Sequence, residues 1–159
     1  MAVALVTETN TIFIALVDHE TTEPWMESYG YTVCSGQYTT AATARTDNNG
    51  YGNSTNISSE DTNGTSAAYI ADNDDELVVS SGLTSRGFIG AGYEWYLIYQ
   101  NITAINTALT KCGGTALSDV YYWTSTEYNG NYAWAMNPKT NVWTYAIKSN
   151  NYKARSFYE

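Results

Sequence analysis

Tyrosine, asparagine and tryptophan crowd the C-terminal segment 121–159. It contains seven tyrosines, six asparagines and three tryptophans, whereas His, Cys and Asp are absent and Glu127 is the one acid before Glu159. Tyr and Trp offer a large contact area for few rotatable bonds, and Asn, Ser and Gly offer adaptable hydrogen bonding. Alternating aromatic residues also suit an ordinary antiparallel sheet, but asparagine is disfavoured in strands. The chemistry predicted here is therefore recognition rather than catalysis.

Residues suited to catalysis or metal binding are few. His19, the single histidine, lies between Asp18 and Glu20, and we expect a solvated surface residue there. No nucleophile elbow, phosphate-binding loop or HExxH motif is present. The acidic run 72–76 offers oxygen ligands but lacks the spacing of a calcium loop, which favours a solvated loop. The sequence predicts no catalytic residue, no metal site and no cofactor.

The two cysteines, Cys34 and Cys112, have no CxxC spacing and no second set of ligands, so a zinc site is not expected. One long-range disulfide and two separate buried thiols are both compatible with the sequence.

Length and charge set further bounds. The 159 residues, 43% apolar, fit a single domain over 1–159 with a substantial core. A formal net charge of −9 disfavours nucleic acid and anionic membranes as partners. The apolar start lacks a basic n-region and is interrupted by Thr and Asn, so it predicts two short strands rather than a signal peptide or membrane span.

Strand signals gather at the two ends of the chain. Residues 2–6 and 11–17 predict a hairpin around Glu8-Thr9-Asn10. From residue 18 to 64, Asn and Gly predict long ordered loops, with 31–34 as the best strand candidate, and 66–71 predicts one or two helical turns. The C-terminal region predicts strands at 121–126, 132–137, 142–146 and 153–158.

Two short helices are predicted at the centre. Residues 93–99 are aromatic and aliphatic on every side, and Asn101 is placed to cap a second helix. Ile102, Ile105 and Leu109 form a core-facing stripe on that helix, which Gly113-Gly114 ends.

Two segments resemble a known family. WYLIYQNITAINTALTKCGGTALSD and the YWTSTE, AWAMN and SNNYKAR runs after it resemble a bacterial and phage branch of the C-type lectin-like fold. This branch includes C-terminal domains of collagen-like proteins, relatives of formylglycine-generating enzymes and the variable proteins of diversity-generating retroelements. The apolar N-terminal hairpin is also similar to it, whereas residues 18–90 match poorly. The resemblance implies an α+β, C-type lectin-like fold in which N- and C-terminal strands share an antiparallel sheet.

The resemblance also implies a ligand-binding face made of substitutable positions. In retroelement-diversified members, template adenines are mutated, so that asparagine codons yield Tyr, Ser, Thr, Asp, Gly, Ala or Ile but not Trp. Carried over by residue, the implied variable positions are Tyr122, Tyr128, Asn129, Gly130, Asn131, Tyr132, Ala135, Asn137, Asn141, Thr144, Tyr145, Ser149, Asn150, Asn151 and Tyr152. The implied scaffold residues are Trp123, Ser125, Glu127, Trp134, Val142 and Arg155.

Four features depart from this pattern or stay open. Trp143 lies where a variable residue is expected, and the ARSFY ending differs from that of the family. Alternation places Tyr132 with Trp134 and opposite Asn137, which leaves Tyr132 open between core and surface. The oxidase chemistry of formylglycine-generating enzymes needs a reactive cysteine pair in the C-terminal part, and only Cys112 lies there.

The sequence thus predicts a non-enzymatic protein that binds a protein or glycan target through the Tyr/Asn-rich face. Its expected location is extracellular, on a virion or on a cell surface, and an oligomer is compatible with such a face. The leading interpretation is a retroelement-diversified variable protein, and a fixed-specificity adhesin or a calcium-independent lectin domain is the first alternative. A purely structural capping domain in a larger fibre or pilus is the third.

Overall fold

A computed structural model describes residues 2–6, 11–74 and 86–159, which form an α+β fold. The strands are β1 (Ala2–Val6), β2 (Thr11–Ala15), β3 (Glu23–Pro24), β4 (Phe88–Ile89), β5 (Tyr122–Glu127), β6 (Tyr132–Asn137), β7 (Val142–Ile147), β8 (Asn151–Tyr152) and β9 (Ser156–Tyr158). The helices are α1 (Ala41–Ala44), α2 (Gly50–Glu60), α3 (Ala67–Asp72), α4 (Gly92–Gln100) and α5 (Ile102–Lys111). The predicted turn at Glu8-Thr9-Asn10, and Asp75 and Glu76 of the acidic run, lie outside the described residues.

The two ends of the chain meet in one four-stranded sheet of order β1-β2-β9-β4. β2 pairs antiparallel with β9, with Phe13 opposite Tyr158 and Ile14 opposite Phe157. Ile12 and Ile14 are buried while their strand neighbours are less so, as alternation along a half-buried strand requires. The expectation that N- and C-terminal strands share a sheet is confirmed.

A three-stranded antiparallel sheet of order β5-β6-β7 follows the helices. We call the side that carries Trp123, Ala133, Ala135 and Ala146 the inner face, because all four residues belong to one core cluster with Trp25. Trp123 lies opposite Ala135, and Ala133 opposite Ala146, so small side chains leave room for the large indole rings.

The other side of this sheet, the outer face, carries three cross-strand pairs: Tyr132 with Ile147, Trp134 with Tyr145, and Met136 with Trp143. Met136 and the neighbouring Tyr122 are fully buried in a second core cluster, with Trp95 and Phe157. The predicted opposition of Tyr132, Trp134 and Met136 to Ala133, Ala135 and Asn137 is confirmed. Tyr132 and Asn137 therefore do not share a surface.

Both central helices form where predicted. Ile105 and Leu109 are buried, and α5 is followed by Gly113, whose φ of +81° suits glycine. The predicted cap is wrong in its detail, since Asn101 precedes α5 but its side chain donates to the carbonyl oxygen of Leu97 instead.

The Asn/Gly-rich segment 48–56, predicted as loop, lies mostly in α2. Tertiary contacts override its poor helix propensity. Ile57 is fully buried, and the Ser54 hydroxyl donates to the carbonyl oxygen of Ile89 and accepts from its amide. The predicted turns at 66–71 are confirmed as α3, with the Ser66 side chain accepting from the Tyr69 amide.

Residues 31–34, the predicted strand, form none in the structure. The amides of Val33 and Cys34 donate to the Glu127 carboxylate instead of to a neighbouring strand. Both cysteines are free, with Cys34 buried and Cys112 exposed. The disulfide alternative is therefore wrong, and of the two thiols only Cys34 is buried.

Candidate binding face

Four aromatic rings cluster at one end of the outer face, and we call Tyr128, Tyr132, Trp134 and Tyr145 the aromatic patch. Tyr128 stacks on Tyr145 with 4.4 Å between ring centroids and 16° between planes. Trp134 and Tyr132 meet Tyr145 edge-on, each at 5.7 Å. Tyr145 is 50% exposed, whereas Trp134 is 4% exposed, so the tryptophan forms the floor of the patch.

The arrangement of these rings suits recognition. Edge-on and stacked contacts hold each ring in place. A ligand that packs on the patch therefore loses little binding free energy to the ordering of side chains. The indole nitrogen of Trp134 is also fixed, because it donates to the carbonyl oxygen of Tyr38 at 2.6 Å. The patch is therefore a preformed aromatic surface, and its three tyrosines add hydroxyl groups to it.

The β5–β6 turn borders the patch and supplies polar groups. The Asn129 side chain accepts from the amides of Asn131 and Tyr132, which closes the turn. The Gly130 carbonyl accepts from the amide of Gly30 at 2.8 Å, so a second loop docks beside the turn. That loop carries the exposed Tyr31, a candidate contact residue that the sequence reasoning missed.

A buried ion pair anchors the docked loop. Lys148 donates to the Glu127 carboxylate, and both side chains are fully buried. Lys148 also donates to the Tyr31 carbonyl oxygen at 3.0 Å, and its ammonium lies 4.7 Å from the Trp25 ring centroid. Glu127 accepts from the loop amide of Val33 as well. The loop beside the patch is thus fixed by charge-assisted hydrogen bonds.

The fifteen predicted contact positions differ widely in exposure. Five are exposed: Asn131, Tyr145, Ser149, Asn150 and Asn151. Seven are half-buried: Tyr128, Asn129, Gly130, Tyr132, Asn141, Thr144 and Tyr152. Three are buried: Tyr122, Ala135 and Asn137.

Of the three buried positions, Tyr122 and Ala135 are fully buried and cannot contact a target in this conformation, and Asn137 is only 8% exposed. The Tyr122 ring packs 5.2 Å from that of Trp95, and its hydroxyl donates to Asp18 at 3.0 Å. Ala135 lies on the inner face, and the Asn137 amide donates to Asp119 at 2.7 Å. The reason is that both faces of the sheet are largely covered, so facing away from the inner face does not place a side chain in solvent. Of the six expected scaffold residues, five are buried and Val142 is 48% exposed.

Tyr152 belongs to a different surface from the aromatic patch. Its ring packs on Trp123 of the inner face at 4.7 Å and on Tyr121 at 5.8 Å. With Asn137 and Asn151 it lines a surface cavity of about 450 Å³. The predicted positions are thus divided between two sides of the sheet.

The aromatic surface continues past the patch through Trp143. Its ring lies 6.4 Å from that of Trp134, and its indole nitrogen donates to the Asn141 side chain at 2.8 Å. Asn141 has a φ of +56° in the β6–β7 turn. Beyond Trp143 lies Arg45, whose guanidinium carbon is 5.4 Å from the Trp143 ring centroid.

His19 differs from the solvated residue that we predicted. Its side chain is 6% exposed, its Nε2 lies 3.0 Å from the Ser156 hydroxyl, and its Nδ1 lies 3.4 Å from the Glu23 carboxylate. The imidazole is therefore held between Glu23 of β3 and Ser156 of β9 rather than extended into solvent. Within the part of the chain that the structure describes, no group of three or more His, Cys, Asp or Glu side chains is arranged to hold a metal ion.

Two buried groups, Glu94 and Cys34, have strongly raised pKa values. Burial raises the pKa of Glu94, at the start of α4, to about 7, and the nearby Asp47 adds to this rise. Burial likewise raises the pKa of the Cys34 thiol, and the Glu127 charge adds to it.

Among the described helices, none is long and apolar enough to cross a bilayer.

Comparison with known proteins gives a fold but no family. No family model matches the chain, and no curated protein is significantly similar to it. Among solved structures, it is similar to a fimbrial protein from Bacteroides ovatus, with a TM-score of 0.59 and 19% sequence identity. The match covers 92% of this chain and 35% of that one, so this chain corresponds to about a third of the fimbrial protein. At this identity the likeness shows a shared fold alone.

Proposed function

We propose that this chain is a target-binding protein that presents the aromatic patch on a C-type lectin-like scaffold. The observation that carries the proposal is the stacked, half-exposed pair Tyr128 and Tyr145, held over the Trp134 floor on a sheet. Such rings supply much of the binding energy in protein recognition surfaces. The proposal assigns the protein no catalytic role.

The scaffold part of the proposal rests on topology. The paired terminal strands and the two helices ahead of the three-stranded sheet support this part, since they agree with the resemblance of residues 95–159 to that fold. The fold shared with a fimbrial protein agrees with a place on a cell surface or in an appendage. We therefore propose an extracellular role in adhesion or receptor recognition, with a protein or glycan as target.

The proposal includes diversification by a retroelement. Most of the implied variable positions lie in turns or on exposed strand positions, where substitution leaves the core intact. Deep sequencing of the locus tests this part, and we expect codon variation at exposed positions such as Asn131 and Tyr145 beside a near-identical template. A uniform locus without a template would instead support a fixed-specificity adhesin.

Binding through the patch is tested by substitution. We expect Tyr128→Ser with Tyr145→Ser to abolish binding of the purified protein to cells or arrayed glycans that the wild type recognises, as judged by flow cytometry and array fluorescence. The matched control is Tyr51→Ser, which removes an exposed tyrosine from α2, outside the patch. Equal binding by the double variant and the wild type would contradict the proposal.

A further inference from the structure

Arg45, at the end of the aromatic surface, lies close to two aromatic rings. The Arg45 guanidinium carbon lies 5.2 Å from the Tyr96 ring centroid and 5.4 Å from that of Trp143. Contacts of this kind orient the guanidinium and reduce its hydration. Arg45 follows α1, and Tyr96 lies on α4, so two helices and β7 meet at this side chain.

Arg45 has no anionic partner among the described residues. Four other cations are paired: Arg86 with Asp72, Lys148 with Glu127, and both Lys153 and Arg155 with Asp18. Lys111 and Lys139 have no ion pair among the described residues either, but neither lies against aromatic rings as Arg45 does. Arg45 makes no such pair, and its buried Nε finds no acceptor within the described structure. The two Nη groups of Arg45 also make no hydrogen bond among the described residues, and unlike Nε they are not buried. They can therefore donate to an anion, which would satisfy N–H groups that are costly to leave unpaired beside aromatic rings.

A cavity gives a ligand access to this group. It has a volume of about 440 Å³ and is lined by Ala42, Arg45, Thr46, Asn48, Tyr93 and Tyr96. The lining includes the aromatic residues Tyr93 and Tyr96 and the polar Asn48, and none of the described residues that line it carries a carboxylate. Although the chain has a net charge of −9, this local setting beside an unpaired arginine favours an anionic ligand.

We propose that the Arg45 cavity binds the carboxylate of an acidic sugar residue whose neighbouring sugars pack on the aromatic patch. A carboxylate accepts two parallel hydrogen bonds from a guanidinium, which a single hydroxyl cannot do. Trp143 lies between Arg45 and the patch, because its ring is 5.4 Å from the guanidinium carbon and 6.4 Å from the Trp134 ring. The apolar faces of pyranose rings match the exposed rings of the patch. This inference rests on the proposed function and names the class of its target.

The test is a titration followed by NMR at the indole Nε1–H of Trp143. The probes are glucuronate, glucose as its uncharged match, and N-acetylglutamate as an acidic peptide group. We expect glucuronate to bind about tenfold or more tightly than glucose, as one charge-assisted hydrogen-bonded pair predicts. Equal affinity for the two sugars, or no shift with either, would overturn the inference.

Variants assign the preference to one side chain. We expect Arg45→Gln to lose the preference for glucuronate, and Arg45→Lys to recover it only in part, because lysine keeps the charge but not the planar fork. The control is Lys111→Gln, which removes a cation at the end of α5 and should leave the preference unchanged. Glucuronate binding that persists in Arg45→Gln would contradict the assignment.

Two further outcomes separate this inference from the proposed function. If N-acetylglutamate binds as tightly as glucuronate and with the same dependence on Arg45, the acidic sugar is wrong and the cavity recognises acidic peptide groups. If cell or glycan binding is lost in the Tyr128/Tyr145 double variant but unchanged in Arg45→Gln, the proposed function stands and this inference fails.

Discussion

The inner and outer faces of the three-stranded sheet differ in the size of their side chains and in what those side chains pack against. The inner face uses three alanines around Trp123 and is closed at its edge by the Glu127–Lys148 pair. The outer face uses large rings, and at the Tyr145 end these rings pack mainly on one another. Because the rings of the patch pack mainly on one another, substitutions there should leave the core contacts of the sheet intact.

The outer face is itself divided. Tyr122 and Met136 are fully buried at one end, while Tyr145 is half exposed at the other. The strands are continuous across this boundary, so the position of α4 and the four-stranded sheet decides which end is core. The comparison therefore predicts large effects of substitution on the inner face, intermediate effects at the buried outer end, and small effects in the patch.

The largest loss of stability is expected for Lys148→Met. The variant leaves the Glu127 carboxylate buried without its cation, which costs about 3–5 kcal/mol in comparable sites. Urea unfolding followed by tryptophan fluorescence measures the change. The matched control is Lys153→Met, which removes a 37% exposed partner of Asp18 and should cost less than about 1 kcal/mol. Similar losses in the two variants would remove the distinction between the inner face and the surface.

An intermediate effect distinguishes the two ends of the outer face. Tyr122→Phe removes a hydroxyl that donates to Asp18 and contacts Ser118, so we expect a loss of about 1–2 kcal/mol. Tyr145→Phe removes an exposed hydroxyl, and the expected change in unfolding free energy is within about 0.5 kcal/mol. If Tyr145→Phe is the more destabilising of the two, the patch belongs to the core.

The smallest perturbation is chemical labelling of the thiols. In the native protein we expect a thiol reagent at neutral pH to modify Cys112 but not Cys34, because Cys34 is buried and its raised pKa keeps it protonated. Mass spectrometry counts one modification in buffer and two in denaturant. Rapid labelling of Cys34 in buffer would show that the inner face opens readily.

Prediction from sequence succeeded where one face of an element is solvated. Ile12 and Ile14 in β2, and Ile105 and Leu109 in α5, carry periodicity that fixes both the element and its buried side. It failed for α2, whose glycines and asparagines predict turns, because burial of Ile57 and the bonds between Ser54 and Ile89 are tertiary effects. The local sequence pattern of α2 does not predict these tertiary contacts.

The candidate site was predictable in composition but only partly in position. Tyr128, Tyr132 and Tyr145 meet on one surface, whereas Tyr122 is core and Tyr152 packs against the inner face. A strand covered on both sides has no solvated face for alternation to reveal. Arg45 could not be assigned to this surface at all, because its contacts with Tyr96 and Trp143 join distant segments.

The left-handed backbone at Asn141 limits the repertoire of the β6–β7 turn. Glycine and aspartate adopt a φ near +56° with little strain, but β-branched threonine and isoleucine do so poorly. Replacements without a side-chain acceptor would also release the indole of Trp143. If both positions are randomised and the library is selected for folded protein, we expect few residue types at Asn141 and many at Tyr145. The backbone of the turn thus restricts which substitutions the fold accepts.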